Sequence, residues 1–448
     1  MALHIFNPWW KGKEYLGEDE DYRKWEESKI KWKPEILDKI LNEENLRSFS
    51  LHFIFGPRQV GKTTLLKLMI KNLLEIVDDP EAIFYFRCDG LADYKELGEV
   101  IDAYLKIKRN KRIEKSFIFL DEITFPKEWN RAIKLNIDIG NFKNDVLFLT
   151  GSLSMYAKRE VETFPGRRGH GKDFIFYPIS FREFVKIVKP EIIEKIGKME
   201  DFKEEEIREK SLKALPWVDE LNELFETYLE CGGFPLAIKS KLETNKVSRE
   251  AMDSYLSWIR GDVARLKRNE SITKRIAKAI IEKAPSTINY YSLAKEFEIK
   301  SHKTVFQHID MLEKLFVAKV LYYIDLNKLT EVFYKQRKIH LADPFLYKIF
   351  SYWCLTEMPA KPTIVESIVA SHLTRKFSVG YWKDREEIDT IAFNNAVCFG
   401  VEVKYKEKVE ARRLKIGKTN FLITLSKSNF NDEPLIVPVS VFLILLEV

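Results

Sequence analysis

Short apolar segments alternate with helix-periodic segments over the first third of the chain. The apolar run Ser50 to Phe55 is followed by Thr63 to Val77, where leucine and methionine recur at helical spacing. Three further short apolar runs end at Phe86, Leu120 and Leu149. Strands that are apolar at nearly every position need cover on both sides. The alternation therefore predicts an α/β fold, with a parallel sheet that has helices on both faces.

The pattern changes twice further along the chain. Residues 181–268 read as helical throughout, and residues 270–325 predict three short helices followed by a strand, the order of a winged helix-turn-helix. Beyond residue 362 a helix precedes strands near residues 381–382, 388–393 and 397–403. We therefore expect a second α/β region at the C-terminus. The apolar run that starts at Leu435 predicts a buried strand or helix.

Composition narrows the class of protein. The 448 residues are 45% hydrophobic and 32% charged, which fits several globular domains with sizeable cores. A net charge of +6 is small for this length, so it permits nucleic-acid binding without arguing for it. No apolar run approaches the roughly 20 residues that span a bilayer. We therefore expect no membrane partner. The four scattered cysteines lack metal-ligand spacing, so we expect reduced thiols in a cytoplasmic protein.

The segment after the first apolar run has the spacing G-x-x-x-x-G-K-[ST]. A loop of this kind points backbone N–H groups at phosphate oxygens, and the helix that follows adds its N-terminal dipole. Lys62 would neutralise charge on the β- and γ-phosphates, and the Thr63 hydroxyl would be a ligand of Mg²⁺. ATP and Mg²⁺ are therefore the predicted cofactors. The predicted nucleotide-binding residues are Gly56, Pro57, Arg58, Gln59, Val60, Gly61, Lys62, Thr63 and Thr64.

Polar residues beyond two later strands would complete this site. At the end of one strand, Asp121 would hold Mg²⁺ through water and Glu122 would polarise the attacking water. Ser152 follows the next strand and would face the γ-phosphate; its alternative role is a helix N-cap. Arg167 is a candidate arginine finger, in cis or in trans, and the alternative is a solvated or structural arginine.

Short sequence motifs are distributed over most of the chain. They are Asn7-Pro8-Trp9-Trp10, Gly56 to Thr64, Ile118 to Ile123, Leu149 to Ser152, Pro165 to Arg168, Pro178 to Phe184, Tyr228 to Pro235, Leu341 to Phe345 and Glu402 to Lys404. In this combination the chain resembles the AAA-type ATPases of archaea and bacteria that pair a P-loop module with a C-terminal domain of nuclease-like fold. In many relatives the Gly-Arg pair lies closer to the next motif, and here Gly169 to Lys172 look inserted.

The patterns and the resemblance together predict five segments. They are a tryptophan-rich arm (1–47), a P-loop NTPase core (48–185), a helical lid (186–268), a winged helix-turn-helix (269–330) and a PD-(D/E)XK nuclease-like α/β domain (331–448). If the fourth segment contacts DNA, its recognition helix would begin near Ser301. The residues that could face a groove and phosphates are Lys300, His302, Lys303 and Gln307. Packing as a lid on the nucleotide domain is the alternative.

The last segment carries a candidate nuclease site. Glu366 lies on the predicted helix, and residues two apart on a strand share a face, which places Glu402 and Lys404 together. A hairpin through Asn394-Asn395 would bring Asp389 close to Glu402. Carboxylates of this kind hold Mg²⁺, and a lysine positions the water. The set is similar to the PD-(D/E)XK pattern; a degenerate nuclease fold or a plain amphipathic hairpin is the alternative.

Three functions remain open on the sequence. The first is an ATPase that couples ATP hydrolysis to DNA binding and cleavage. The second is a nucleotide-controlled switch of the STAND type, whose C-terminal domain docks a protein partner without catalysis. The third is a homo-oligomeric ring that remodels DNA or protein.

Overall fold

The computed structural model describes residues 2–151, 164–411 and 416–446. The chain folds as two compact units, Met1–Tyr177 and Pro178–Val448. Cys88, Cys231, Cys354 and Cys398 are free and buried. Within the described ranges, no helix combines the length and the apolar composition needed to cross a membrane.

The described part of the first unit is built on a five-stranded parallel sheet. The strands are β1 Ser50–Phe55, β2 Ile83–Arg87, β3 Phe117–Asp121, β4 Val146–Gly151 and β5 Asp173–Ile175. Their order is β2-β3-β4-β1-β5, and every neighbouring pair is parallel. The helices are α1 Glu20–Glu26, α2 Ile36–Ile40, α3 Lys62–Ile76, α4 Tyr94–Asn110 and α5 Trp129–Asp138. The predicted parallel α/β sheet is confirmed.

Burial explains why four of these strands could be predicted and one could not. Strands β1, β3 and β4 are buried at every position, as their continuous apolar sequence requires. Strand β5 is mostly exposed and carries no such signal. The residues that look inserted, 169–172, run beside the start of β1 and lead into β5, with Gly169 bridged to Ser50.

The N-terminal arm covers the edge strand β2. Asn7 makes hydrogen bonds to both backbone groups of Tyr85, donating to its carbonyl at 3.0 Å and accepting from its N–H at 2.7 Å. The indole N–H groups of Trp9 and Trp10 both donate to the Ile83 carbonyl, at 3.0 and 2.8 Å. The motif Asn7 to Trp10 therefore satisfies backbone groups that an edge strand would otherwise expose.

The second unit begins with helices, as predicted for residues 181–268. They are α6 Phe181–Val188, α7 Pro190–Ile196, α8 Glu204–Ala214, α9 Val218–Cys231, α10 Pro235–Thr244 and α11 Arg249–Arg265. Three further helices follow, α12 Glu270–Lys283, α13 Tyr290–Glu296 and α14 His302–Lys314. After them, β6 Ala318–Asp325 and β7 Thr330–Leu341 pair as an antiparallel hairpin. An isolated antiparallel bridge between Ile288 and Arg337 ties the segment before α13 to this hairpin.

The hairpin continues into a mixed sheet. The boundary predicted between the fourth and fifth segments, at residues 330 and 331, falls inside strand β7. The later elements are α15 Pro344–Cys354, α16 Lys361–Leu373, β8 Ser378–Lys383, β9 Glu387–Phe393, β10 Cys398–Val403, β11 Phe421–Ser426, β12 Ile436–Pro438 and α17 Val439–Leu445. In the described part of the unit the sheet has seven strands, in the order β12-β11-β10-β9-β8-β6-β7. Strands β9 and β10 do pair as the antiparallel hairpin that the candidate nuclease site requires. The C-terminal apolar run, expected to be a buried strand or helix, forms a short buried strand followed by a buried helix.

Three of the sequence motifs meet in the second unit. The Gly233 N–H donates to Asp343 at 2.8 Å, and the Gly233 carbonyl accepts from the Ile179 N–H at 2.8 Å. The Phe181 N–H donates to the His372 ring at 3.1 Å. These motifs therefore join helices α6, α10, α15 and α16 into one core.

Candidate functional site

The phosphate-binding loop joins β1 to α3, and both of its glycines are required by geometry. Gly61 precedes α3 with φ +97°, in the left-handed region that favours glycine. A Cβ on Gly56 would lie 2.2 Å from the Phe176 carbonyl oxygen, closer than any side chain can approach. The loop therefore packs against the strand-end segment at Phe176 with no room for a larger residue.

The lysine and threonine that end the loop lie against the predicted metal-binding carboxylate. Lys62 Nζ donates to the carbonyl oxygens of Gly56 and Pro57 at 3.1 and 2.8 Å. It lies 3.9 Å from Glu122 Oε1. The Thr63 hydroxyl donates to Asp121 Oδ2 at 2.7 Å. The structure thus brings Lys62, Thr63, Asp121 and Glu122 together, as the sequence predicts.

Asp121 is fully buried and is held by hydroxyl groups from three elements. Besides Thr63, the hydroxyl of Tyr85, the middle residue of β2, donates to Oδ2 at 3.0 Å. The Thr150 hydroxyl at the end of β4 donates to Oδ1. Because the carboxyl ends of parallel strands meet at one edge of the sheet, neighbours in space can be far apart in sequence.

Glu122 adopts an unusual backbone conformation that Thr150 supports. Its φ is +52°, and its N–H donates to the Thr150 hydroxyl at 2.9 Å. Within the part of the chain that the structure describes, the buried Glu122 Oε2 has no hydrogen-bond partner. A non-glycine residue in this region costs of order 1–3 kcal/mol, so the surroundings must hold it there. The strand end therefore turns this carboxylate towards Lys62 with one oxygen left to accept a hydrogen bond.

Tyr85 is itself fixed by a buried cation. Lys67 Nζ lies 3.1 Å from the centre of the Tyr85 ring and 2.9 Å from Asp19 Oδ2. Burial lowers the pKa of Lys67 against the opposing effect of Asp19. Burial and the nearby Asp121 carboxylate raise the pKa of Tyr85 well above its usual value, which keeps its hydroxyl protonated as a donor.

Of the two other residues predicted for this site, the structure describes Arg167 and does not bring it there. Ser152 lies outside the described residues. Arg167 forms an exposed ion pair with Asp138 at 2.6 Å. The carbonyl of its neighbour Arg168 accepts a hydrogen bond from the Leu51 N–H at 3.0 Å, at the start of β1. A strand advances about 3.3 Å per residue, so Arg167 lies on the order of 15 Å from the loop at the other end of β1.

The residues present fit a nucleotide with a divalent cation. The loop offers backbone N–H groups and an ammonium group for phosphates, and the hard oxygens of Thr63 and Asp121 suit Mg²⁺. The unpartnered Glu122 Oε2 is placed to accept a hydrogen bond from water. Thr63 and Asp121 stay the predicted metal ligands, and Gly56 to Thr64 the predicted phosphate-binding residues.

The four candidate nuclease residues are only partly assembled. Asp389 Oδ2 accepts the Val403 N–H at 2.9 Å, and the register that pairs Thr390 with Val401 makes Asp389 and Glu402 the next opposing residues. Lys404 lies 3.5 Å from Glu402 but donates to the Glu410 carbonyl, away from Asp389. Glu366 and Asp389 instead meet Lys338 of β7, a residue that the sequence motifs did not indicate.

Comparison with known proteins decides the class of the first site. Residues 48–185 match the sequence profile of the AAA domain. Residues 48–185 are an AAA-type P-loop ATPase domain. Residues 222–352 match a domain family of unknown function. No curated protein matches the chain.

Similar solved structures have low identity to this chain. The Aeropyrum pernix ORC2 protein (ADPNP-ADP complexes) is 13% identical, the match covers 71% of this chain and 91% of that chain, and the TM-score is 0.38. Cdc6p from Pyrobaculum aerophilum is 13% identical, the match covers 63% of this chain and 85% of that chain, and the TM-score is 0.27. The replication initiator DnaA bound to AMPPCP and single-stranded DNA is 18% identical, covers 62% and 86%, and has a TM-score of 0.28. At these values the similarity carries no argument about the activity or partners of the ATPase domain.

Proposed function

We propose that the ATPase domain hydrolyses ATP with Mg²⁺ held by Thr63 and Asp121, and that Glu122 is the catalytic base. The observation that carries the proposal is the 2.7 Å hydrogen bond from Thr63 to Asp121 beside the loop lysine. The two oxygen ligands are already together, and the Glu122 carboxylate lies next to them with an oxygen that can accept from water.

The chain's own residues account for binding and for proton transfer. Lys62, which donates to loop carbonyls here, would turn its ammonium to the phosphate oxygens when nucleotide enters. Glu122 would orient a water and accept its proton, while Thr150 holds the Glu122 backbone in place. Bound Mg²⁺ supplies neutralisation of the charge that develops on the phosphates.

Hydrolysis by purified full-length protein tests this assignment. Glu122→Gln should bind ATP and lower kcat by about 100-fold or more, because a positioned base contributes that much. Glu128→Gln is the matched control, since Glu128 is an exposed glutamate nearby that pairs with Arg131 at 2.9 Å. Unchanged turnover in Glu122→Gln would remove Glu122 from the mechanism. Lys62→Ala should abolish nucleotide binding, and retained binding would argue against the loop assignment.

We further propose that residues 270–341 form a winged helix-turn-helix that binds nucleic acid, with α14 as recognition helix and the β6–β7 hairpin as wing. A row of aromatic rings and one guanidinium supports this proposal; we call it the aromatic row. Arg337 lies over the Tyr290 ring at 4.2 Å and over the Tyr322 ring at 5.7 Å. The row is Phe306, Tyr290, Arg337, Tyr322 and Phe333. It connects the exposed face of α14 to the hairpin.

The two ends of the aromatic row are open to solvent. Phe333 is 62% exposed and the adjacent Tyr334 is 87% exposed. On α14, His302, Lys303 and Phe306 are exposed. Exposed rings stack on bases and flanking lysines contact phosphates, and such stacking is worth about 1–3 kcal/mol per base. Nucleic acid is therefore the partner whose chemistry matches this surface.

Fluorescence anisotropy with labelled single- and double-stranded DNA tests the surface. Tyr334→Ala and Lys303→Glu should each weaken binding by about 10-fold at moderate salt. Lys278→Glu on α12 is the charge-matched control, because Lys278 is exposed outside the aromatic row. Equal affinity in all four proteins would reject this surface. ATP hydrolysis recorded with and without DNA shows whether binding and turnover are coupled.

A nucleotide-controlled switch is the second candidate. In this function ATP binding changes the association of the chain with a protein partner or with copies of itself, and the C-terminal domain docks without cleavage. The observation that favours it is Lys338, whose ammonium lies among the acids of the candidate nuclease site. Slow turnover that is indifferent to DNA, with DNA left intact, would support the switch.

A further inference from the structure

Lys338 lies at the centre of the acidic cluster in the second unit. Its Nζ is 2.8 Å from Glu366 Oε1, 2.8 Å from Glu387 Oε1 and 3.5 Å from Asp389 Oδ1. The three carboxylates come from α16 and β9, whereas the lysine comes from β7. The Lys338 side chain is only 1% exposed, so bulk water does not solvate its ammonium group.

Besides these acids, Lys338 Nζ lies 5.9 Å from the centre of the Tyr381 ring, and one histidine is close to the cluster. His340, two residues further on β7, lies 3.8 Å from Glu366 Oε1. Burial, with a smaller effect of Lys338, lowers the pKa of His340 to about 3, so the ring is neutral. Burial would lower the pKa of Lys338, but Glu366 and Asp389 overcome it and the pKa is raised. A buried lysine stays charged only when acids of this kind surround it.

We propose that the Lys338 ammonium takes the place of a divalent cation between Glu366, Glu387 and Asp389, so that the cluster binds no metal in the native chain and removal of this charge opens a metal site. The candidate nuclease residues would then belong to a domain that does not cleave by metal catalysis. This inference does not depend on ATP hydrolysis or on DNA binding.

Distances show why the lysine and a metal compete. Lys338 Nζ lies 2.8 Å from Glu366 Oε1. A Mg²⁺ ion bound to the same oxygen at about 2.1 Å would therefore lie at most about 5 Å from the ammonium. Two cations so close in a buried site repel strongly, because the local dielectric is low. Around Lys338 the acids are not arranged as metal ligands, since no group of three or more His, Cys, Asp or Glu residues within 2–151, 164–411 and 416–446 could hold a metal ion. Metal binding in a variant without Lys338 therefore requires these acids to move closer together.

The lysine of the sequence motif cannot replace Lys338 in this arrangement. Lys404 lies beside Glu402 and donates to the Glu410 carbonyl. Lys383 also reaches the cluster, pairing with Glu387 at 2.6 Å, but its side chain is half exposed. Lys383 therefore provides a matched control that contacts the same acid from the solvent side.

Mn²⁺ binding to nucleotide-free full-length protein tests the proposal, with free Mn²⁺ followed by electron paramagnetic resonance. The wild type, Glu366→Gln and Lys383→Met should bind the same number of Mn²⁺ ions, all of them outside this cluster. Lys338→Met should bind one more, and the double variant Lys338→Met/Glu366→Gln should lose it. Mn²⁺ should also raise the Tm of Lys338→Met above its effect on wild type, because the ion would neutralise acids that Lys338 no longer pairs.

Two results would overturn the proposal. One is a Mn²⁺ ion that wild type binds and Glu366→Gln loses, since the native cluster would then be a metal site. The other is a folded Lys338→Met variant that gains no ion. If Lys338→Met does not fold, the comparison of wild type with Glu366→Gln decides alone: equal binding supports the internal cation, and unequal binding rejects it.

Discussion

The Tyr85 hydroxyl donates to Asp121 Oδ2 at 3.0 Å, which links the N-terminal arm to the predicted metal-binding carboxylate of the ATPase domain. Asn7 of the arm holds both backbone groups of Tyr85, and Lys67, paired with Asp19, lies against its ring. Asn7, Lys67 and Asp121, which contact Tyr85 on this path, are all buried. The arm therefore helps to set the position of Asp121, 114 residues away from Asn7 in sequence.

Removing the Tyr85 hydroxyl should weaken the response of the enzyme to Mg²⁺. In Tyr85→Phe, Asp121 loses a hydrogen bond to a charged group, worth about 1.5–3 kcal/mol. We expect the Mg²⁺ concentration for half-maximal ATP hydrolysis to rise by about 10-fold, while metal-free nucleotide binding changes little. Fluorescent-nucleotide titration with and without Mg²⁺ separates the two effects.

Tyr104→Phe is the matched control for this prediction. Tyr104 is equally buried, stacks on Phe84 at 4.3 Å and donates to the Glu81 carbonyl at 3.1 Å, without touching Asp121. It should leave the Mg²⁺ dependence unchanged. If both variants shift the Mg²⁺ dependence by the same amount, the cause is a general destabilisation of the domain, and the Tyr85 hydroxyl has no specific role in Mg²⁺ binding.

Thr150 should matter more for turnover than for binding. Its hydroxyl donates to Asp121 and accepts the N–H of Glu122, whose φ of +52° needs such support. Thr150→Val keeps the shape but removes the hydroxyl, so kcat should fall by about 10-fold or more with nucleotide affinity nearly intact. Thr150→Ser keeps the hydroxyl and should retain most activity. Equal losses in both variants would contradict a role for the hydroxyl.

The sequence predicts the parts of the fold and site that depend on local pattern. Continuous apolar strands, the loop spacing and the acids after β3 are local signals, and the structure assembles Lys62, Thr63, Asp121 and Glu122 accordingly. The β9–β10 hairpin through Asn394 is of the same kind. The roles of the predicted residues in catalysis remain predictions that the variants above test.

Long-range arrangement produced what the sequence did not predict. Tyr85 lies within an apolar strand, and its contact with Asp121 follows only from the β2–β3 pairing, which places Tyr85 beside Phe119, two residues before Asp121. Lys338 looks like any lysine on an exposed hairpin, because its strand turns from exposed to buried at that residue. Strand β5 is short and exposed, so no burial pattern marks it.

Arg167 should not contribute to nucleotide affinity within its own chain. It lies at the amino end of β1, opposite the phosphate-binding loop, and pairs with Asp138 at the surface. Exposed ion pairs contribute about 0–1 kcal/mol, so Arg167→Ala should leave ATP affinity within about threefold of wild type. Titration of dilute protein with fluorescent nucleotide measures this. A 10-fold loss under those conditions would place Arg167 in the site in cis.

Asp343 should stabilise the folded protein more at low pH than at neutral pH, the reverse of the usual effect of a carboxylate with a lowered pKa. The carboxyl is fully buried and caps the start of α15 while it accepts the Gly233 N–H. Burial raises its pKa from 3.8 to about 6. A raised pKa means that the folded chain binds more protons than the unfolded chain between these values. This contribution to stability is therefore complete below about pH 4 and is lost as the pH rises through about 6.

Asp343→Ala isolates this effect. The variant loses the cap and the Gly233 bond, so at pH 7.5 it should still be less stable than wild type by about 1–3 kcal/mol. The gap between wild type and variant should narrow by about 3 kcal/mol from pH 4 to pH 7.5, because 1.36 kcal/mol accompanies each unit of pKa shift. Urea unfolding across this range measures the gap. A gap that widens with pH would mean that the two N–H donors outweigh burial, and that Asp343 is ionised in the folded protein throughout.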